Sequence, residues 1–211
     1  MTFSRRHSIL LLGALALLYP ALSARAQNVN VADLMAPGPL PERALGSAKA
    51  PVTVVEYASM TCSHCAKFHT TVYPDFKKKY IDTGKVHFIL REFPLDAIAA
   101  GAFALARCLP EDKYFPMIEL LFEQQKNWAF VPDPPKALLG IAKQAGFTEQ
   151  SYEACLTDQK LAQAIEDTAQ RANEKFGVRG TPTFFINGQT LRGEATLEAL
   201  SKIIDPMVKA D

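Results

Sequence analysis

Val52-Thr53-Val54-Val55-Glu56-Tyr57, followed after a short loop by Cys62-Ser63-His64-Cys65, decides how this chain is read. The first run is β-branched and apolar, begins after Pro51, and suits a buried strand. Glu56 is its one charged residue. Beyond the cysteines, Cys65, Phe68, Val72, Phe76 and Tyr80 recur every three or four residues. That spacing predicts a helix from about 63 to 82, kinked at Pro74 and ended by Gly84. Cys62 therefore stands where a strand gives way to a helix N-terminus. Unpaired N–H groups and a partial positive charge there stabilise a thiolate, which makes Cys62 a good leaving group. His64 can add positive charge or a hydrogen bond. Cys65, one turn in, is placed to attack a mixed disulfide on Cys62. A bare C-x-x-C also fits half a zinc site or a structural bridge. So short a loop constrains little, so a redox pair is the stronger reading.

Working outward, Val86-His87-Phe88-Ile89-Leu90 is a second strand, with room for a right-handed parallel crossover. Residues 95–176 read as helices punctuated by prolines and glycines. Thr183-Phe184-Phe185-Ile186 is a third strand, Asn187-Gly188 a hairpin turn, and Thr190-Leu191-Arg192 the returning strand. Leu197, Leu200, Ile203 and Ile204 mark a last helix. The fold class is α/β: a βαβ–ββα sheet domain over 51–94 and 177–211, with an inserted helical domain over 95–176. Residues 27–50, rich in Pro, Ala and Gly, read as an extended N-terminal arm.

Residues 1–26 read as a cleaved export signal: Arg5 and Arg6, an apolar run from Ile9 to Leu18, then Ala24-Arg25-Ala26. The uncharged stretch is 15 residues, short of the roughly 18 a membrane span needs. Ser4-Arg5-Arg6 leaves the twin-arginine and general routes both open. Removing the segment takes three arginines and no acid, so the charge falls from +1 to −2. With 211 residues, 48% of them apolar and 21% charged, the chain is too apolar for disorder. It has no basic excess for binding nucleic acid. Lys77, Lys78 and Lys79 read as a solvated helix face. Four cysteines are too few for a small disulfide scaffold.

Far downstream lies Gly180-Thr181-Pro182-Thr183. A cis Thr181–Pro182 bond would turn the Thr181 backbone outward, offering N–H and C=O to an extended substrate. The competing reading is an ordinary trans proline that starts a strand. Together, the strand 52–57, Cys62-Ser63-His64-Cys65 and the stretch 180–185 resemble the thioredoxin superfamily. The nearer likeness is to its DsbA-like branch of periplasmic thiol–disulfide oxidoreductases. The insertion between the second and third strands, the histidine before the second cysteine and the glutamate six residues before the first all agree with it. Ser63 departs from the proline common in the best-known oxidases. Thr181 departs from their valine and is familiar from isomerases.

The resemblance implies a dithiol oxidase that introduces disulfides into reduced exported polypeptides in the periplasm. Cys62, Cys65, His64 and Glu56 would be catalytic, and Thr181 and Pro182 would bind substrate. It implies reoxidation by a DsbB-like membrane quinone reductase, and no cofactor beyond the cysteine pair itself. A monomer is expected, because 27–50 is too short for a dimerisation domain. An isomerase or reductase is the second reading, and a metal-carrying thiol protein the third.

A carboxylate at Glu56 is costly in a buried strand unless paired or protonated. Near Cys65 it would accept that thiol's proton. The bland alternative is an edge-exposed or lysine-paired glutamate. With Cys62 and Cys65 assigned to redox chemistry, Cys108 and Cys155 remain as a structural disulfide. It would close a loop of about 46 intervening residues worth roughly 4 kcal/mol. A second redox switch or two buried thiols are the alternatives. Cys62, Cys65 and His69 lack a fourth ligand at standard spacing, so no metal is expected. Trp128 could line a peptide groove, though a lone aromatic in an apolar stretch is usually core.

Overall fold

The computed structural model describes residues 28–192 and 195–209; the predicted export signal at 1–26 lies outside the described residues. Five strands form one sheet: β1 (Arg43–Leu45), β2 (Val52–Ala58), β3 (Val86–Glu92), β4 (Thr183–Ile186) and β5 (Gln189–Arg192), in the order β1-β3-β2-β4-β5. β2 and β3 are parallel, and the other pairs are antiparallel. β2 is the centre because it can be buried on both faces. Its side chains alternate. Val52, Val54 and Ala58 enter the larger core with Phe88, Leu90 and Phe184, while Val55 and Tyr57 join Ile89, Phe185 and Phe176 on the other side. Glu56 shares the parity of Val54, so it points into the larger core. That core is covered by the helix after Cys62 and by the inserted helices.

The helix after Cys62 runs continuously over 63–81. Two of its turns are wide, at Phe68–Val72 and Lys77–Ile81. Pro74 does not break it. The wide turn immediately before Pro74 absorbs the missing N–H. The insertion supplies helices at Ala97–Cys108, Glu111–Glu123, Gln125–Trp128, Pro134–Gln144, Glu149–Leu156 and Gln159–Phe176. Cys108 and Cys155 are disulfide-bonded, with Cα atoms 6.1 Å apart. Trp128 is core, and its indole N–H donates to the Leu121 carbonyl at 2.9 Å. Lys77 and Lys79 make exposed ion pairs with Asp82 and Asp205.

The segment 27–50 is not an extended arm throughout. It holds a helical turn, Val31–Met35, capped by Asn30, and the edge strand β1. Leu34 is the reason: it is buried in the smaller core, and the Arg171 guanidinium donates to the carbonyls of Asp33, Ala36 and Pro37. The Asn187-Gly188 turn takes positive φ at both residues, as its composition requires. Asn187 ties the hairpin to β2, its side-chain oxygen accepting from the Thr53 N–H at 2.8 Å.

The insertion is joined to the sheet by a buried charge cluster. Arg107 donates to both oxygens of Glu92 at 2.6 and 2.9 Å, and the Tyr114 hydroxyl donates to the same carboxylate at 2.7 Å. Removing one partner of such a pair strands the other in low dielectric. Arg107→Ala is therefore expected to lower stability by about 3–5 kcal/mol, read by urea unfolding. A loss under about 1 kcal/mol, the scale of an exposed pair, would show that water reaches Glu92.

Candidate active site

The active-site loop, 59–62, leaves the C-terminal end of β2 and is held from three sides. Thr61 donates to Asp96 at 2.7 Å, and the Leu95 N–H donates to the Ser59 hydroxyl at 3.2 Å. Gln125, buried in the insertion, donates to the carbonyls of both Met60 and Cys62, at 2.8 and 3.0 Å. Opposite stands the Thr181–Pro182 loop, whose peptide bond is cis. The Cys62 thiol donates to the Thr181 carbonyl at 3.2 Å.

Cys62 is itself the N-cap of the helix. Its Sγ accepts from the Cys65 N–H at 3.3 Å, the position a serine or aspartate oxygen usually takes. Its pKa is lowered from 9 to about 5. The hydrogen bond from the Cys65 thiol contributes most, and burial works against it. The N–H groups of Cys65 and His64 add to the lowering. The bond to the Thr181 carbonyl favours the thiol form instead, and the Thr181 hydroxyl, though buried, makes no hydrogen bond within the protein. The His64 ring is exposed, and the backbone N–H of this residue contributes to the lowering.

Cys65 is the reverse case. It has no exposed surface, and its pKa lies well above 9, first through burial, then through its bond to Cys62 and the negative charge of Glu56. Both cysteines are unbridged. One sulfur is poised as a thiolate beside a neutral thiol that is ready to become a nucleophile only when its proton is removed.

Glu56 is fully buried, so it is neither edge-exposed nor lysine-paired. It meets His69, whose Nε2 lies 2.9 Å from Oε2. Sequence reasoning considered each residue and missed the pairing. The signal was that His69 follows Cys65 by four residues, on the same helical face. Gln125 carried no signal at all, since glutamine in a helical stretch is ordinary surface chemistry. Among the described residues, no group of three or more His, Cys, Asp or Glu side chains could hold a metal ion. Nor is any helix there long and apolar enough to cross a membrane.

A sheet of this order, with paired cysteines at the first turn of the helix after its central strand and a cis-proline loop against them, defines a thioredoxin-type dithiol site. Comparison with known proteins agrees. The family profile described as Thioredoxin matches residues 40–206. The structure of Wolbachia pipientis alpha-DsbA1 superposes with a TM-score of 0.77 at 32% identity, covering 86% of this chain and 97% of that one. BdbD from Bacillus subtilis, at 22% identity, shares the fold with a TM-score of 0.71 over 88% of this chain and 98% of its own. A Rickettsia felis protein, given a protein-disulfide oxidoreductase name, is 37% identical over 164 residues, which is 76% of this chain. The chain spans 58% of that relative's length. This chain belongs to the DsbA type within the thioredoxin-like family.

The lowered Cys62 pKa fixes a pH dependence. The folded value, about 5, lies below the free value of 9. The thiolate therefore stabilises the reduced fold at neutral and alkaline pH, and that contribution is lost as pH falls through 5. Relative to Cys62→Ser, the reduced protein is expected to gain about 2 kcal/mol between pH 5 and 7, read by denaturant unfolding. A parallel pH dependence in the two proteins would mean that Cys62 titrates like a free thiol.

Proposed function

We propose that this chain is a periplasmic protein-disulfide oxidoreductase working in the oxidising direction on reduced exported polypeptides. The observation that carries the reading is the split between the two sulfurs, with Cys62 lowered to about 5 and Cys65 raised well above 9. A stabilised thiolate on the exchanging cysteine favours the reduced enzyme, and so makes its disulfide a strong oxidant. The DsbA-type relatives and the exposed side chains of Leu95 and Phe130 support it. Those two apolar groups stand on segments bonded to the active-site loop and suit an unfolded chain as client.

In the proposed cycle a substrate thiolate attacks Cys62 Sγ of the Cys62–Cys65 disulfide. The electron pair of the broken bond goes to Cys65, which takes a proton by way of Glu56. The substrate strand lies along Thr181 and Pro182, with the Thr181 carbonyl directed at the exchanging sulfur. A second substrate thiolate then attacks the substrate sulfur of the mixed disulfide. Cys62 leaves as the thiolate that the helix start stabilises. The inserted domain, 95–176, is assigned the task of bracing the loop through Gln125. A DsbB-like membrane quinone reductase is the proposed reoxidant, and a monomer the proposed working state.

The test is oxidation of a reduced two-cysteine peptide by the oxidised protein. Stoichiometric peptide disulfide is expected from wild type. Cys65→Ala, activated as a mixed disulfide on Cys62, is expected to pass on that one bond without turnover. Wild type that leaves the peptide reduced while its own cysteines stay bridged would refute the oxidising assignment.

A further inference from the structure

Neither Cys65 nor Glu56 has any exposed surface. Yet each cycle proposed above puts a proton on Cys65 and later takes it off. The route between that buried pair and solvent is therefore part of the machinery. His69 lies in that position. Its Nε2 is 2.9 Å from Glu56 Oε2, in a contact whose side chains are 1% and 0% exposed. Its ring is clamped by stacking on Phe122, with centroids 4.4 Å apart and planes 17° from parallel. It sits in the wide turn Phe68–Val72, a departure from α geometry of the kind that recurs at functional sites. Two buried polar atoms at the ends of this contact, Glu56 Oε1 and His69 Nδ1, make no hydrogen bond.

His69 also lines a surface cavity of about 570 Å³. Tyr73, Lys77 and Asp82 face that cavity from its own helix, and Glu119 and Glu123 from the helix Glu111–Glu123. None of Cys62, Thr181 or Pro182 borders this cavity.

We propose that His69 is a positioning residue that passes protons between Glu56 and this cavity, so that Cys65 exchanges its proton with solvent through a route separate from the substrate mouth. The inference rests on the oxidoreductase reading. When the disulfide is opened, the electron pair of the broken bond leaves on Cys65 Sγ, which takes the proton that Glu56 holds. Glu56 then takes the Nε2 proton of His69, and Nδ1, which is buried and unbonded in the resting structure, takes one from the cavity once water is admitted to it. Closure of the disulfide runs the same transfers backward and restores the ring's first tautomer. Electrons pass only between sulfurs.

The test follows closure of the reduced protein by glutathione disulfide in stopped flow from pH 6 to 8, alongside alkylation of Cys62 by iodoacetamide. His69→Gln keeps a donor for Glu56 but relays no proton. It is expected to slow closure about tenfold or more and to alter its pH profile, with Cys62 alkylation unchanged. In His69→Ala, added imidazole is expected to restore the lost rate in a saturable way. Closure of His69→Gln at the wild-type rate overturns the proposal. So does a loss in folded His69→Ala that imidazole leaves untouched, since packing alone would explain it. Wild type that fails to close at all would instead remove the oxidoreductase reading.

Discussion

The chemistry of this molecule depends on a helix that begins with a sulfur where an oxygen usually stands. Cys62 caps the helix by accepting the Cys65 N–H. The same contact that satisfies an orphan donor also stabilises negative charge on the atom proposed to exchange disulfides. Folding and reactivity therefore share one interaction. The alternation of β2 delivers the loop to that spot. Gln125, the Thr61–Asp96 bond and the Thr181 carbonyl keep it there.

The partner sulfur is governed by the opposite physics. Cys65 lies one turn deeper, on the face that packs against the sheet, and burial there penalises its charge. Two cysteines three residues apart thus sit on either side of neutrality because one is at a helix terminus and the other is inside it. Glu56 belongs to the same geometry. The parity of β2 that places Val54 in the larger core also turns Glu56 into it, towards the helix carrying Cys65 and His69.

Much of this was legible in the sequence, and for identifiable reasons. The strand 52–57, the helix phase from Cys65 to Tyr80 and the Asn187-Gly188 turn are local signals, and each has its place in the fold. What was not legible depends on contacts between distant segments. The arm 27–50 reads as extended because Pro37-Gly38-Pro39 and Pro41 punctuate it. Its helical turn and edge strand form because Leu34 finds a core and Arg171 supplies donors from more than 130 residues away. His69 read as a spare ligand until Glu56 was seen to face it. The contribution of the His64 N–H is a backbone effect that no side-chain pattern announces. Pro74 lies inside the helix, which continues past it with wide turns on either side.

The proposed direction of electron flow requires a Cys62 thiolate stabilised enough to make the Cys62–Cys65 disulfide oxidising. The direct measurement is the equilibrium reduction potential of that pair in glutathione buffers, with the Cys108–Cys155 disulfide followed separately by mass. A value near the strongly oxidising end, about −120 mV, is expected. A value near about −270 mV, typical of a cytosolic reductant, would contradict it and reverse the direction of electron flow.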